Sequence, residues 1–428
     1  MDKKLTVALL GAGGRGSLFG EKMQSIPEHY EISAVCDINP KQLDKIKKLL
    51  NLDESKLFSD EETFFEKKRA DVIVIATYDK CHVRQCIRAM KQGYDILLEK
   101  PICYSRKEIT ELLDARRETG RKVTVCHELR YAPAFEKVSE LLRDGVIGRL
   151  IAIDAMERVV WWHQAQAYVR IQSQINDVTA PTILAKCSHD LDLVCHYANS
   201  ECDTVSSIGS LGFFRKENAP KNSTEKCFDC PHVNTCPYSA KRIYIDMWKS
   251  DGCPEFTWPY NKVSLKKPTT EKDLYDGIRN TYFGNCVFKC GVNTNEHVTD
   301  HQLVQMKFKN GVTANLNMVF GGEAGRRINL FGTLGEIVLD EREEKVIIYR
   351  YGKEKSALDF KSITEGGNAH GGGDSRLVKE LYYILTGESE NRTSLEDSVE
   401  SHLIGISAEE SRLDGGKLVK VHQKKTET

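Results

Sequence analysis

Three features of the sequence predict a doubly wound α/β domain followed by an α+β domain with a large, mainly antiparallel open sheet. They are a glycine-rich turn between a short apolar run and a helix pattern, the alternation of strand and helix patterns after it, and a change to longer alternating segments past about residue 128. The turn is Gly11-Ala12-Gly13-Gly14-Arg15-Gly16, preceded by Leu5-Thr6-Val7-Ala8-Leu9-Leu10 and followed by a helix pattern reaching Met23. Strand, glycine turn and helix in that order are the context in which G-x-G-x-x-G binds a dinucleotide. Gly11 permits the tight turn, Gly13 lets the backbone approach a pyrophosphate, and Gly16 lets helix and strand pack closely. The pyrophosphate would meet free N–H groups at the helix start, with Gly14 and Arg15 beside it. Asp37 closes the second apolar run, Ile32-Ser33-Ala34-Val35-Cys36, about 20 residues past the last glycine, where a carboxylate accepts hydrogen bonds from ribose hydroxyls. It would repel a 2′-phosphate, so the expected cofactor is NAD rather than NADP. A surface turn aspartate is the plainer reading of Asp37-Ile38-Asn39-Pro40.

The remaining elements keep the βαβ rhythm of a parallel sheet covered on both faces: a helix over 40–50, a strand over 71–76, a helix over 82–92, a strand over 95–98, a helix over 106–118 and a strand over 122–126. Thr77 leaves its strand at the carboxyl end and His82 opens the next helix. Both are therefore expected at the cofactor, because open α/β sheets bind ligands at that edge. Beyond the first domain, 1–128, segments 303–308 and 313–318 flank Asn310-Gly311, a strong hairpin signal. Further strands fit 327–331, 335–339 and 345–349, which assigns 129–428 to a substrate-binding and oligomerisation domain with a cysteine-containing insertion at about 215–295.

The 428 residues carry a formal charge of −1, which gives no support for a nucleic-acid partner. No apolar run approaches a membrane span and no signal peptide is read, so the expectation is a cytoplasmic protein without a membrane partner. A reducing compartment disfavours disulfides. Of the 14 cysteines, Cys36, Cys86, Cys126, Cys187 and Cys195 sit in apolar segments as small core residues.

Glu99-Lys100-Pro101 closes the run 95–98. Proline ends ladder pairing and biases Lys100 toward an extended conformation, which sets Glu99 and Lys100 at the mouth of the sheet, although a solvated strand-end lysine looks the same. Pro181 suits a helix start, and Leu184, Cys187, Leu191, Val194 and Cys195 then form one apolar stripe. Lys186 and His189 are three residues apart and can converge on one ligand, where histidine suits general-base work on a hydroxyl. The alternative is a surface histidine paired with Asp192. Arg130, Tyr131, His163, Arg170, Asp192 and His370, with Trp161, Trp162 and Tyr168, are candidates for a sugar pocket by hydrogen bonding and stacking, and equally for a packing interface.

The glycine turn, Glu99-Lys100-Pro101, Arg130-Tyr131-x-Pro133, Ser188-His189-Asp190-Leu191-Asp192 and His370-Gly371-Gly372-Gly373-Asp374 together resemble the Gfo/Idh/MocA family of glucose-fructose oxidoreductase and inositol dehydrogenase, over nearly the whole chain. The resemblance implies a Rossmann domain whose Glu-Lys-Pro lysine borders nicotinamide and substrate, often before a cis proline. Carried over, Lys100 hydrogen-bonds the reacting hydroxyl while His189, with Lys186, manages its proton. Polyol dehydrogenases of the family usually have an aspartate four residues before the histidine, where this chain has Ala185. Lys186 sits next to it as the expected substitute, and like-charge repulsion between it and Lys100 would lower the pKa of one of the two, giving a neutral amine base. The implied activity is NAD-dependent oxidation of a hydroxyl of a sugar, polyol or glycoside. A second reading is redox-neutral glycoside cleavage by oxidation, elimination, hydration and reduction, and a third is a non-catalytic sugar-sensing regulator. Relatives form homodimers or homotetramers through the open sheet face, and the same is expected here.

Cys227-x-x-Cys230 with Cys236 lies in a polar loop at thiolate-ligand spacing. A structural zinc, its fourth ligand drawn from His232, Cys253, Cys286 or Cys290, would anchor an insertion expected to have little core of its own. Free thiols are the alternative.

Overall fold

The computed structural model describes residues 4–171, 180–255, 257–290, 296–363 and 369–423. Six parallel strands form the first sheet: β1 (Leu5–Leu10), β2 (Tyr30–Cys36), β3 (Leu57–Phe58), β4 (Val72–Ile75), β5 (Asp95–Leu98) and β6 (Val123–Val125). Their order is β3-β2-β1-β4-β5-β6. Strand order reverses between β1 and β4, and the crevice outside the carboxyl ends at such a reversal is where these sheets hold ligands. The glycine turn follows β1, and Lys100 follows β5, so both open onto that edge.

The second sheet has nine strands: β7 (Leu150–Val159), β8 (Cys202–Ser210), β9 (His301–Phe308), β10 (Thr313–Phe320), β11 (Gly325–Gly332), β12 (Gly335–Asp340), β13 (Lys345–Arg350), β14 (Ser356–Asp359) and β15 (Val419–Lys420), in the order β14-β13-β12-β11-β7-β10-β9-β8-β15. All neighbours are antiparallel except β7 and β10, and Asn310-Gly311 turns β9 into β10 as the sequence predicts. Along β7 burial alternates, with Ile153, Ala155, Glu157 and Val159 inward. The helix Thr182–Ala198 packs on that inner face, against β7, β10 and the helix Leu395–Leu413. This fixes the helix that carries His189 at the junction of the two sheets.

Two features depart from the sequence reading. The helix Gly373–Thr386 returns to the first domain, where Leu377, Val378, Leu381 and Tyr382 pack with Phe19, Met23 and Tyr30, and the Tyr30 hydroxyl donates to the Val378 carbonyl at 2.8 Å. The insertion also has a core of its own, in which Phe214, Ile243, Tyr244, Trp248, Tyr260, Leu274, Ile278 and Phe283 are buried together. Metal is therefore not needed to supply that segment with a hydrophobic interior. Among the described residues no helix is long and apolar enough to cross a membrane.

Candidate active site

The nucleotide end of the site is made by β1, its turn and the end of β2. Gly11 has a φ of +97°, and a Cβ there would lie 2.4 Å from the Ala76 carbonyl oxygen; a Cβ on Gly16 would lie 1.8 Å from the Gly11 oxygen. Around Gly13 a Cβ would meet nothing within 4 Å, beside the start of the helix Gly14–Gln24. An anion can therefore reach the backbone N–H groups there. Asp37 accepts hydrogen bonds from the N–H groups of Ala12 at 2.7 Å and Asn39 at 2.8 Å, which hold its carboxylate at the end of β2. Backbone cradle, helix start and carboxylate together fit a dinucleotide.

The other expected cofactor contacts are engaged within the protein. Arg15 forms ion pairs with Glu99, Glu128 and, at 2.8 Å, Asp374. Glu99 also accepts from the Lys100 N–H at 3.1 Å. The Thr77 hydroxyl donates to Gln85 at 2.5 Å, and the His82 ring nitrogens lie 2.8 Å from the Pro101 carbonyl oxygen and 3.3 Å from that of Thr77. Arg15, Thr77, His82 and Glu99 thus shape the loops around the crevice, as buried polar groups take the partners nearest to them.

The reacting end gathers on four segments. Lys100 precedes a cis peptide bond to Pro101, as the resemblance implies, and its ammonium donates to the Ala185 carbonyl at 3.1 Å. His189 is buried with Nε2 3.5 Å from a Glu128 carboxylate oxygen, and its ring centroid is 5.3 Å from that of His370. One ligand atom from each of Glu128, His189 and His370 lies within 4.8 Å of the others. Among the described residues neither ring nitrogen of His189 has a hydrogen-bond partner. Burial, then the charge of Lys100 and the neighbouring His370, push its pKa well below the ordinary value, which leaves a neutral base. Burial pushes the Glu128 carboxyl up to about 7 against the opposing pull of Arg15. His370, at a φ of +53°, is held by Asp374 at 3.0 Å.

Several expected substrate contacts belong to the framework instead. Arg130 and Asp192 form a buried two-pronged pair, with Nε and a terminal nitrogen each 2.7 Å from a carboxylate oxygen. Asp192 is therefore not the partner of His189. Burial raises the Asp192 carboxyl, but Arg130 outweighs it and holds the group below the usual range. Tyr131 is fully buried with its hydroxyl 3.0 Å from that of Thr393. Arg170, 0% exposed, donates to the carbonyls of Asn285 at 2.8 Å and Tyr238 at 2.7 Å, so it braces the insertion. Lys186 is paired with Glu157 on β7 at 2.6 Å, and Arg326 lies 3.2 Å from Glu157 and 2.8 Å from Asp190. Lys186, expected as a base beside His189, is instead drawn toward Glu157 in this charge cluster. Replacing Arg130 with Ala strands the Asp192 carboxylate in the interior, so urea unfolding is expected to show a loss of about 3–5 kcal/mol.

His163 fits the pocket reading better. Its ring lies 4.7 Å from Trp258 and 5.2 Å from Tyr168, while Trp162 lies 4.4 Å from Trp258. Burial, with Lys186 and Lys100 adding to it, pushes the His163 pKa down to about 3, so the wall is aromatic and uncharged. Sequence reasoning missed Trp258, Glu128, Glu157 and Arg326, none of which lies in a recognisable local motif. In the insertion, Cys227, Cys230, Cys236, Cys286 and His232 line one small cavity. Their sulfurs are free thiols, and among the described residues the three-ligand groups drawn within 4.8 Å are both in the active centre.

A Rossmann sheet with a dinucleotide cradle, joined to a nine-stranded sheet on whose inner face a helix carries the buried His189, defines an NAD-dependent oxidoreductase. The family model described as "Oxidoreductase family, NAD-binding Rossmann fold" matches residues 5–127, the first domain of this chain. The chain is 24% identical to the putative oxidoreductase YteT of Bacillus subtilis over 84% of each chain. It is 26% identical to the inositol 2-dehydrogenase/D-chiro-inositol 3-dehydrogenase of Lactiplantibacillus plantarum over 35% of this chain and 42% of that protein. A solved levoglucosan dehydrogenase in complex with NADH and levoglucosan shares the fold at a TM-score of 0.70 and 15% identity, covering 98% of this chain and 100% of that one.

Proposed function

We propose that the enzyme oxidises a carbon bearing a hydroxyl in a sugar, polyol or glycoside. The observation that carries this reading is the convergence of Lys100 with a buried, neutral His189 backed by Glu128 at the mouth of the nucleotide crevice. A hydroxyl held there meets the Lys100 ammonium, which stabilises negative charge on its oxygen as the C–O bond gains double-bond character. Its proton passes to His189, and the imidazolium that forms is stabilised by the Glu128 carboxylate. Bound NAD supplies the nicotinamide that accepts the hydride. His163, Trp162 and Trp258 offer an aromatic wall for the apolar face of a sugar ring. The named activities of the inositol and levoglucosan dehydrogenases support the substrate class.

Redox-neutral glycoside cleavage is the second reading, favoured by one observation: Glu128, His189 and His370 place more proton-holding groups together than simple oxidation requires. The carbonyl formed first acidifies the neighbouring C–H, so a base can expel the aglycone before water adds and the hydride returns. Incubation with trace NAD and parallel panels of free sugars and chromogenic glycosides tests both. NADH accumulating with a free sugar establishes the dehydrogenase; aglycone release that needs NAD but leaves no net NADH establishes the cleavage; neither signal across the panels overturns the proposal.

Because the Glu128 carboxyl is raised to about 7, and its ionised form is the one that supports the imidazolium, the rate of oxidation is expected to rise through pH 7 and level off above it. Glu128→Gln is expected to flatten that limb and lower kcat roughly 100-fold, read from a pH–rate profile.

Two finer features complete the proposal. A zinc ion bound by Cys227, Cys230, Cys236 and Cys286 is supported by their shared cavity; metal analysis of the purified protein is expected to find one zinc per chain, lost on replacing Cys227 and Cys230 with Ser. The outer face of the nine-stranded sheet, where Ile151 and Phe331 are exposed, suits a homodimer or homotetramer contact, which light scattering measures directly.

A further inference from the structure

The insertion reaches the nucleotide cradle. The Lys262 ammonium stands 3.9 Å from the position a Cβ on Gly14 would take, and Gly14 is the first residue of the helix that follows the glycine turn. Among the described residues Lys262 has no carboxylate partner, and the fixed charge acting on it is the like charge of Lys45. A cation placed over the positive end of a helix, with a second lysine in its field, is electrostatically unfavourable by itself. An anion between them is attracted by the helix end and by both lysines, which offsets their mutual repulsion. We infer that Lys262 binds the pyrophosphate of the dinucleotide from above, opposite the glycine turn, so that the insertion acts as a clamp on the cofactor.

The segment carrying Lys262 is built to hold that position. Tyr260, two residues earlier, is buried in the insertion core and its hydroxyl donates to Asp251. The following residue, Val263, packs so closely on the helix Glu271–Arg279 that a Cβ on Gly277 would lie 1.9 Å from the Val263 oxygen. Lys262 is thus borne on fixed backbone, unlike a lysine on a free loop. The same short strap begins at Trp258, whose ring packs on Trp162 and His163. One strap therefore spans the aromatic wall and the pyrophosphate position. A Lys262 contact to the pyrophosphate would have to break before NAD leaves, so the clamp is expected to slow its release.

The inference rests on NAD occupying the glycine cradle, and the experiment separates the two. NADH fluorescence is followed in stopped flow as NADH is displaced from wild type, Lys262→Gln and Lys262→Arg. The expected result is an off-rate about tenfold faster for Lys262→Gln, the size of one charge-assisted hydrogen bond, with a shallower salt dependence and recovery toward wild type in Lys262→Arg. ADP-ribose, which carries the pyrophosphate, is expected to lose affinity in parallel, whereas adenosine keeps its affinity. Wild-type binding with an unchanged off-rate and salt slope in Lys262→Gln overturns the clamp alone; failure of wild type to bind NADH overturns the cradle reading on which the clamp depends.

Discussion

Replacing His189 with Ala is expected to lower kcat by about 1000-fold, within the span of roughly 10²–10⁴ that a positioned acid–base group supplies, while NADH still binds. The size follows from the environment of the ring. His189 is buried, and its pKa is displaced well below the usual range by burial and by the charge of Lys100, so it is neutral across the physiological range and ready to accept a proton. Its nearest carboxylate, Glu128 at 3.5 Å, can compensate the imidazolium once it forms. Among the described residues neither nitrogen is committed to a structural hydrogen bond, which leaves the ring available to a substrate. A framework histidine in the same place would have used them. Since Ala also opens a cavity, His189→Asn is the companion variant. A kcat within fivefold of wild type in a folded His189→Asn, measured with the best sugar from the panel, would remove His189 from the chemistry.

What could be read from sequence divides along the range of the interaction. The glycine turn, Asp37, Lys100 and His189 were legible because each is fixed by local backbone logic: a turn that excludes a Cβ, a strand end, a strand-terminating proline, a helical stripe. The sheet hairpin at Asn310-Gly311 was legible for the same reason. Residues whose roles depend on distant partners were not. Lys186 and His189 share a helix face, yet Lys186 meets Glu157 and Arg326 while His189 meets Glu128, and the chain separation of Arg326 from Asp190, 136 residues, carries no local signal. Arg130, Asp192 and Arg170 have the residue types of a sugar pocket, but each found a buried partner within the framework. Burial decided between those roles, and composition does not report it. The insertion was misjudged likewise: its aromatic residues are scattered through a polar stretch and form a core only when folded.

Lys100→Met is expected to lower kcat by roughly 10²–10³, the cost of removing one preorganised donor from a developing oxyanion, with a smaller change in the affinity for NADH. One of the three ammonium donors is already committed to the Ala185 carbonyl at 3.1 Å. That bond fixes the side chain across the crevice, so a substrate oxygen meets an ammonium already in place, and little reorganisation is required as negative charge appears. Met keeps the length and apolar stem of Lys while removing its charge and donors, so the variant isolates electrostatics from packing. Lys100 also depresses the His189 pKa, so in the Glu128→Gln background, where the limb near pH 7 is gone, removing the Lys100 charge is expected to move the remaining His189 limb upward as kcat falls. A lysine that merely closed the strand would leave that limb unchanged. The two readouts together therefore distinguish an ammonium that acts on both the hydroxyl oxygen and the base from one that only orders the turn before Pro101.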